Sequence, residues 1–343
     1  MSYKRDPSSH QIRVATPTGD DIMRKISFAA TLFVLTLLGS NKHAVASDVC
    51  DRACLESHVN RYIAAMIAHN PSELPLARDV RFTENGQELR LGDGLWATAS
   101  APGKYKLYVT DPKSGQIGFY GTIFENGTPV LLALRLKVDE QLITEIETII
   151  ARSQTGSNLP GAGAAVEKRV QPRPQFLQTV PASERMPRQR LVEVANSYFT
   201  GLANNTGRNT APFAPTCERV ENGTQTTHNP AAGKDRNGFN VLGLGCEEQQ
   251  KSGFYSFVTS IRNRRFPIVD EERGLVMAFG FFEHTGAVRT VTISTGQTFP
   301  APFLSPLTFQ ISELFQIRNG KIDQIEAVLN TVPYGMRSDA WDR

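Results

Sequence analysis

The sequence predicts an α+β protein made of two tandem domains, each with helices packed on a curved antiparallel sheet. Residues 81–86 and 219–223 both begin with arginine and end in Glu-Asn-Gly. Around each triplet, a helical pattern comes first and a series of strands follows. The matching features occur in the same order in both copies. The number of residues that separates each feature from its match only increases along the chain. Loop insertions in the second of two copies of one domain would produce this pattern.

One amphipathic helix is predicted in each copy. Apolar residues recur at three- and four-residue spacing over residues 55–69 and again over residues 190–202, which places them on one helical face. Tyr62 and Tyr198 hold matching places in the two patterns. Pro71 ends the first helix, because the residue before a proline avoids the helical conformation.

Alternating apolar and polar residues predict a sheet after each helix. Asn-Gly pairs indicate hairpin turns, including Asn85-Gly86 and Asn319-Gly320. A second helix is predicted over residues 247–260. The predicted strands cover residues 80–83, 105–110, 116–125, 130–138 and 143–152 in the first copy, and 217–227, 264–270, 274–284, 307–317 and 321–329 in the second.

The segment between the copies, residues 153–187, is rich in Gly, Pro, Ala and Ser and has no sustained apolar period. It is too long for an ordinary loop inside a domain, so we interpret it as an interdomain linker. The predicted domains are therefore residues 50–152 and 188–338.

The N-terminal segment has the features of a targeting sequence. A basic start at residues 23–25 precedes an apolar run over residues 26–38 and an Ala-Val-Ala cleavage pattern at residues 44–46. Residues 23–46 are thus predicted to be a signal peptide, with residues 1–22 an extension or a misassigned start. An uncleaved membrane anchor is the alternative. We expect a secreted or periplasmic protein that does not bind membranes after cleavage.

The four cysteines form two local pairs, Cys50 with Cys54 and Cys217 with Cys246. A metal site would need all four to converge, and neither pair has the two-residue spacing of a zinc knuckle. Two disulfides are therefore favoured, one in each copy. Closing the polar loop between Cys217 and Cys246 is worth roughly 3 kcal/mol through restriction of the unfolded chain.

Composition and motifs exclude several functional classes. In 343 residues, hydrophobic residues make up 40%, charged residues 21%, and the formal charge is +3, with no basic patch interleaved with aromatics. A nucleic-acid partner is not expected. The sequence has no Gly-x-Ser-x-Gly elbow, phosphate loop, dinucleotide fingerprint or spaced metal-ligand set, so no cofactor and no metal are predicted.

The order of helices followed by a sheet resembles the nuclear-transport-factor-2-like superfamily, which includes the SnoaL-like polyketide cyclases. Both copies resemble it, and the hairpin at Asn319-Gly320 leading into residues 324–327 carries the likeness in the second. Residues 219–223, 265–274 and 332–336 are also similar to a group of uncharacterised exported proteins. The superfamily resemblance implies two cone-shaped domains, each with a pocket between helices and sheet, but no single activity.

Several polar residues are candidates for a site in the second copy. Glu221 and His228 are the candidate bases, and Arg265 and Tyr334 would stabilise negative charge on oxygen. Each candidate also has a purely structural interpretation. Glu221 and its counterpart Glu84 could each form a hydrogen bond at the turn. Arg265 could belong to a solvated charged hairpin, and His228 could lie at the surface. The candidate ligand-binding residues are Asn222, Tyr198, Asp270 and Glu326.

Two functional hypotheses follow. The first is a cofactor-independent lyase, dehydratase or isomerase that acts on a small apolar organic molecule by proton transfer. The second is a non-catalytic ligand-binding or self-associating scaffold protein, in which the two domains pair with each other. Residues 188–338 are predicted to hold the working pocket, because they contain the longer loops and the denser polar constellation.

Overall fold

The computed structural model describes residues 50–152, 162–203, 205–229, 231, 239–338 and 340–341. The predicted extension and signal peptide lie outside the described residues. No helix in the described part of the chain is long and apolar enough to cross a membrane. Both predicted disulfides are present, joining Cys50 to Cys54 and Cys217 to Cys246.

The first half of the chain forms one six-stranded sheet and two helices, with strand order β2-β1-β6-β5-β4-β3. The elements are α1 (Arg52–Ile67), β1 (Leu76–Glu84), β2 (Gln87–Glu88), α2 (Leu95–Thr98), β3 (Ala99–Asp111), β4 (Gln116–Glu125), β5 (Thr128–Asp139) and β6 (Leu142–Ala151).

The second half forms another six-stranded sheet, with strand order β8-β7-β14-β13-β10-β9, and a small two-stranded sheet, β11-β12. Its elements follow a short helix, α3 (Ala162–Arg169), which lies between the halves along the chain. They are α4 (Arg188–Leu202), β7 (Phe213–Glu221), β8 (Thr224–Gln225), α5 (Cys246–Ser252), β9 (Ser260–Asp270), β10 (Leu275–His284), β11 (Thr290–Thr292), β12 (Thr298–Pro300), β13 (Leu307–Arg318) and β14 (Lys321–Val332).

Both large sheets are mixed, whereas the sequence predicted antiparallel sheets. Strand β1 pairs in parallel with β6, and β7 pairs in parallel with β14. Period-2 alternation specifies which residues face each side but not the direction of the neighbouring strand. The α+β class is confirmed, with α1 against one face of the first sheet and α4 against one face of the second.

One face of each large sheet packs against helices, and we call it the helix face. Leu55, Val59 and Tyr62 of α1 share a buried cluster with residues of the first sheet. Leu191 and Tyr198 of α4 do the same on the second sheet. Each fully buried aliphatic side chain contributes roughly 1.5–3 kcal/mol, so these clusters hold each helix on its sheet.

The opposite faces of the two sheets pack against each other, and we call them the sheet faces. Tyr105 and Tyr120 of the first sheet share one buried cluster with Met277, Phe279 and Leu314 of the second. The approach is close, because a Cβ added at Gly118 would lie 2.0 Å from the Sδ atom of Met277. Strands β13 and β14 are consequently buried on both faces.

The connection between the halves differs from the predicted structureless linker. From residue 162 onward it contains α3 and two short 3-10 helices, and Val166 and Phe176 are fully buried in the cluster between the sheets. These anchors are too widely spaced to give an apolar period. Helix α5 is also shorter than predicted, because Gly253 adopts the left-handed conformation, with φ 74°, and ends the helix.

Candidate functional site

A buried carboxyl group lies on the helix face of the second sheet. Glu313 belongs to β13, where Ile311, Phe315 and Ile317 supply the apolar core around it. Its exposed fraction is 0%, and neither carboxyl oxygen has a hydrogen-bond partner among the described residues. An unpartnered buried polar group is costly and calls for an explanation, so Glu313 marks the candidate site.

Arg219 provides the positive charge of the site. It lies on the same face of the sheet, on β7, and its side chain is 3% exposed. Its Nε donates to Thr226 Oγ1 at 2.9 Å, and its Nη1 donates to the Tyr198 hydroxyl at 3.2 Å. Its Nη2 donates to Gln249 Oε1 at 2.7 Å and to the Tyr255 hydroxyl at 2.6 Å. The guanidinium is therefore fixed from three directions.

Counting hydrogens shows which donors are left for a ligand. Arginine has five N–H bonds, and the contacts within the described residues use four, leaving one on Nη1. The Tyr255 hydroxyl donates to Gln249 Oε1 at 2.9 Å. The Tyr198 hydroxyl accepts from Arg219, so its own proton is free to point elsewhere. One N–H of Arg219 and the O–H of Tyr198 thus remain unused by these contacts.

A raised pKa keeps Glu313 mostly protonated at neutral pH. Burial and the negative charge of Glu221 raise its pKa to about 8, although Arg219 and the Tyr198 hydroxyl act to lower it. No contact of hydrogen-bonding length joins Tyr198 to Glu313, so the hydroxyl acts over a longer distance. Burial likewise raises the pKa of Tyr198 well above its usual value. Both protonation states of Glu313 are accessible under ordinary conditions.

The site extends from the core towards solvent. The Glu221 carboxylate lies 3.3 Å from Nε of Arg219, and its side chain is 32% exposed. Burial alone would lower the pKa of Arg219, but Tyr198, Tyr255 and Glu221 raise it well above the usual value, so the guanidinium stays charged. Glu221 therefore balances Arg219 at the outer end, and Glu313 forms the inner end.

The disulfide Cys217–Cys246 positions two members of the site. Cys217 precedes Arg219 by two residues on β7, so both side chains are on the helix face. Cys246 begins α5, and Gln249 follows one turn later. The bond thus fastens the helix that carries Gln249 to the strand that carries Arg219, and Gln249 is itself fixed by donating to the Thr226 carbonyl.

Small residues flank Glu313 on both neighbouring strands. Its cross-strand neighbours are Ala278 on β10 and Ala327 on β14. Further along β10, a Cβ added at Gly280 would meet nothing closer than 3.5 Å. Short side chains therefore lie on both sides of the carboxyl group.

The sequence-predicted residues Glu221 and Tyr198 both belong to this cluster, as neighbours of Arg219. Asn222 has a different position. Its side chain bonds with the backbone of Leu329, accepting at 3.0 Å and donating at 2.9 Å. Asn85 likewise accepts from the backbone of Ile150 at 2.9 Å. The repeated Asn-Gly turn is held by its own asparagine.

Three other predicted residues lie on the sheet faces, away from Arg219. Arg265 forms an ion pair with the fully buried Glu147 of the first sheet. Glu326 accepts from the Tyr105 hydroxyl at 2.6 Å. Asp270 pairs with Arg52 at 2.9 Å. Alternation along β9 and β14 points these side chains towards the other sheet, so the structure does not bring Arg265 to Glu221.

The last two predicted residues lie near the surface. The half-exposed His228 has Nδ1 3.4 Å from Glu218 Oε1. Tyr334 is 47% exposed, on a tail that runs towards the first half, where Trp341 donates to Thr83 Oγ1 at 2.9 Å. The sequence allowed this tail to close over a cavity, but these contacts take it away from Glu313.

Sequence reasoning missed Glu313, Gln249 and Tyr255. A signal for Glu313 exists, because residues 311–317 alternate and the glutamate occupies a place in the row that holds Ile311 and Phe315. Gln249 and Tyr255 have no comparable signal. Gln249 reaches Arg219 because the disulfide fastens α5 to β7, and Tyr255 reaches it because the chain turns back at Gly253.

Two cavities lie elsewhere, between the halves. One of about 640 Å³ is lined by Arg52, Asp111, Asp270 and Glu271, among others. Another of about 540 Å³ is lined by Arg135, Arg265 and Trp341, among others. Their charged groups are mostly paired with each other, so the chemistry is better sought at Glu313.

Comparison with known proteins gives limited matches. Residues 184–329 match a family described as a domain of unknown function (DUF8021). A search among curated proteins finds no match for this chain.

Two solved structures are similar to parts of the chain. One is a protein of unknown function with a cystatin-like fold from Methylobium petroleophilum PM1, with 14% identity and a TM-score of 0.27, covering 33% of this chain and 86% of that one. The other is a de novo designed protein with a curved β-sheet, with 15% identity and a TM-score of 0.22, covering 42% and 88%.

Proposed function

We propose that the second half is a cofactor-independent acid/base catalyst that acts on a small, largely apolar organic molecule carrying a carbonyl or hydroxyl group. The reaction class is that of a lyase, dehydratase or isomerase. The observation that supports it is Glu313, a buried carboxyl with two unpartnered oxygens and a pKa raised to about 8 by burial and Glu221. A general acid or base is most effective when its pKa is near the working pH.

Each group of the site has a role in this proposal. Glu313 takes a proton from the ligand or returns one to it. The O–H of Tyr198 and the remaining N–H of Arg219 donate to the ligand oxygen where negative charge develops. Gln249 and Tyr255 hold the guanidinium in place. The charges of Arg219 and Glu221 cancel each other, and a protonated Glu313 adds no charge. A neutral ligand therefore suits the site.

We also propose that the two halves are copies of one cone-shaped domain of the nuclear-transport-factor-2-like type, and that the chain is exported. The common strand order of the two large sheets supports the first idea. The two disulfides support the second, because disulfides persist in oxidising compartments.

The test combines a binding screen with turnover. Uncharged carbonyl and hydroxyl compounds would be screened by thermal shift against the intact protein, and hits would be followed for conversion by NMR. We expect Glu313→Gln to retain binding and to lose about 10²–10⁴-fold in turnover, the usual contribution of a positioned acid or base.

The matched control is Glu84→Gln in the first half. Glu84 is also buried, but its carboxylate is occupied by the Leu95 N–H at 2.7 Å and by Arg152 at 3.1 Å. We expect this variant to leave turnover unchanged. Ligands that bind but never react, at any pH, would favour the alternative of a non-catalytic binding protein. Equal turnover in wild type and Glu313→Gln would overturn the assignment of Glu313.

A further inference from the structure

The first half carries a separate group of chemically active side chains at the start of α1. Cys50, Cys54 and His58 offer ligand atoms that all lie within 4.8 Å of one another. Cys50 and His58 are buried, with exposed fractions of 6% and 5%. Nδ1 of His58 has no hydrogen-bond partner among the described residues. A buried polar atom without a partner opposes folding, so His58 needs a reason other than packing.

The second half shows that this type of helix and sheet does not require such a group. His58 lies one turn before Tyr62 on α1, and Val194 lies one turn before Tyr198 on α4. Val194 is buried in the core, 2% exposed. An apolar residue therefore serves at the matching place, and the imidazole is an addition specific to the first half.

The turn above the group is also unusual. Glu140 and Gln141, between β5 and β6, both have positive φ, 46° and 64°. The matching turn between β13 and β14 is Asn319-Gly320, the residue types that favour this conformation. Positive φ at Gln141 is strained. Its side-chain Oε1 lies 3.3 Å from Sγ of Cys54, so the strained turn holds a polar oxygen next to the group.

We propose that reduction of the Cys50–Cys54 disulfide converts this group into a binding site for Zn²⁺, with the two thiolates and the imidazole of His58 as ligands. Two thiolates and one imidazole are a common zinc ligand set, and zinc prefers four ligands. Gln141 Oε1 or water supplies the fourth. A cavity of about 400 Å³ is lined by Cys50, Ser114 and Gln141, among others, so one sulfur and the proposed amide ligand border a space that can admit a metal ion.

The redox step is a thiol–disulfide exchange with an external dithiol. The dithiol gives two electrons and two protons and becomes a cyclic disulfide, while the sulfur–sulfur bond of Cys50–Cys54 breaks to give two thiols. Zinc then binds and displaces the two thiol protons, and His58 binds as the neutral imidazole. The site therefore exists only in the reduced protein.

The experiment measures zinc binding to the intact chain. Purified protein, untreated or reduced with a phosphine, would be equilibrated with Zn²⁺ alone, and bound metal and affinity would be determined. We expect one zinc per reduced chain and none per oxidised chain. His58→Val, which copies the second half, should weaken binding by at least about 10-fold, since even outer-shell partners of a metal ligand are worth 10- to 100-fold.

The double variant Cys50→Ser/Cys54→Ser separates this site from the other disulfide. It keeps Cys217 and Cys246, so after reduction it should bind no zinc if the proposal is right. Undiminished zinc binding in this variant, unchanged affinity in His58→Val, or no binding by reduced wild type would each overturn it. Circular dichroism would check the fold, and a reduced chain that unfolds and is not restored by zinc would also overturn it.

Discussion

The two halves of the molecule have the same strand order but fill their helix faces differently. The strand pairings show which residues of the two halves correspond. Glu84 pairs with Thr148 in the first half, and Glu221 pairs with Ala327 in the second. By the same pairing, Phe82 corresponds to Arg219 and Leu134 corresponds to Glu313. Two buried apolar residues in one half thus correspond to a buried arginine and a buried carboxyl group in the other.

The neighbours change in the same sense. Leu134 lies beside Phe119 and Thr148, whereas Glu313 lies beside Ala278 and Ala327.

The two helix tyrosines also differ in their partners. Tyr62 accepts a hydrogen bond from the indole of the buried Trp96 at 2.8 Å. Tyr198 accepts from Arg219 instead.

The fold of such a sheet and helix does not require these polar side chains. The first half shows that phenylalanine and leucine can fill the helix face of such a sheet. Buried ion pairs often contribute little net stability compared with apolar residues of similar volume. Arg219 and Glu313 are therefore better explained by what they do to a ligand than by what they do for the fold.

The largest loss of stability is expected when Arg219 is replaced by phenylalanine, the residue at the corresponding position of the first half. Arg219→Phe removes the hydrogen-bond partner of Tyr255 and Gln249 and the positive charge that faces Glu221. We expect the free energy of unfolding to fall by about 3–5 kcal/mol, as for other broken buried charge pairs. Urea unfolding followed by circular dichroism measures it. Arg190→Ala, which removes an exposed pair with Glu193, is the control and should cost less than about 0.5 kcal/mol.

Combining Arg219→Phe with Glu313→Leu completes the copy. If the two side chains depend on each other, the double variant should be more stable than Arg219→Phe alone, and the coupling would be seen in a double-mutant cycle. Additive losses would mean that the halves differ by more than this one exchange.

A smaller effect, which grows as pH rises from about 4.5 to about 8, is expected from Glu313→Leu alone. The pKa of Glu313 is raised from 4.5 to about 8, chiefly by burial and then by Glu221. The native protein therefore holds a proton that the unfolded chain releases above pH 4.5. The stability from this group is complete below pH 4.5 and is lost as pH rises through about 8. Between pH 4.5 and pH 9 the wild type should therefore lose about 2–5 kcal/mol of stability that the variant does not lose.

Thermal unfolding at pH 5 and pH 9 tests this prediction. The wild-type protein should lose stability between the two, and Glu313→Leu should lose much less. The control is Glu145→Gln in the first half, because burial would raise the pKa of Glu145 but Arg135 and Lys137 lower it overall. A wild-type protein whose stability does not depend on pH in this range would contradict the raised pKa of Glu313.

Much of the frame could be predicted from the sequence, for local reasons. Alternation identified the strands, and the repeated Glu-Asn-Gly identified turns in which Asn85 and Asn222 adopt positive φ, 50° and 45°. The parallel pairing of β1 with β6 could not be predicted, because it depends on contacts between distant segments. Helix α3 could not be predicted either, because the sequence on both sides of its buried Val166 consists of small and charged residues.

The site was predicted only in part. The repeat drew attention to Glu221 and Tyr198, and both lie beside Arg219 in the structure. Arg265 and Glu326 were assigned to the same site because strand alternation shows two faces but does not say which one meets the helices. Both faces of β14 are buried, so polar residues on either face look alike in the sequence.

The smallest loss of stability is expected at two ion pairs between the halves. These pairs test whether two halves with the same strand order also contribute equally to the contact between them. Arg52, at the start of α1, pairs with Asp270 of the second half. Arg188, at the start of α4, pairs with Asp111 of the first half. Each half therefore uses the first arginine of its helix to bind the buried aspartate at the end of a strand in the other half, as in an isologous interface.

We expect Arg52→Ala and Arg188→Ala to lower the free energy of unfolding by similar amounts, about 1–3 kcal/mol each, because each leaves a buried carboxylate without its charged partner. Chemical denaturation of both variants in one buffer measures the difference. The double variant should cost less than the two losses together, since both pairs hold the same contact between the halves. A large loss from one arginine and none from the other would show that a shared strand order does not bring a shared division of the interface energy.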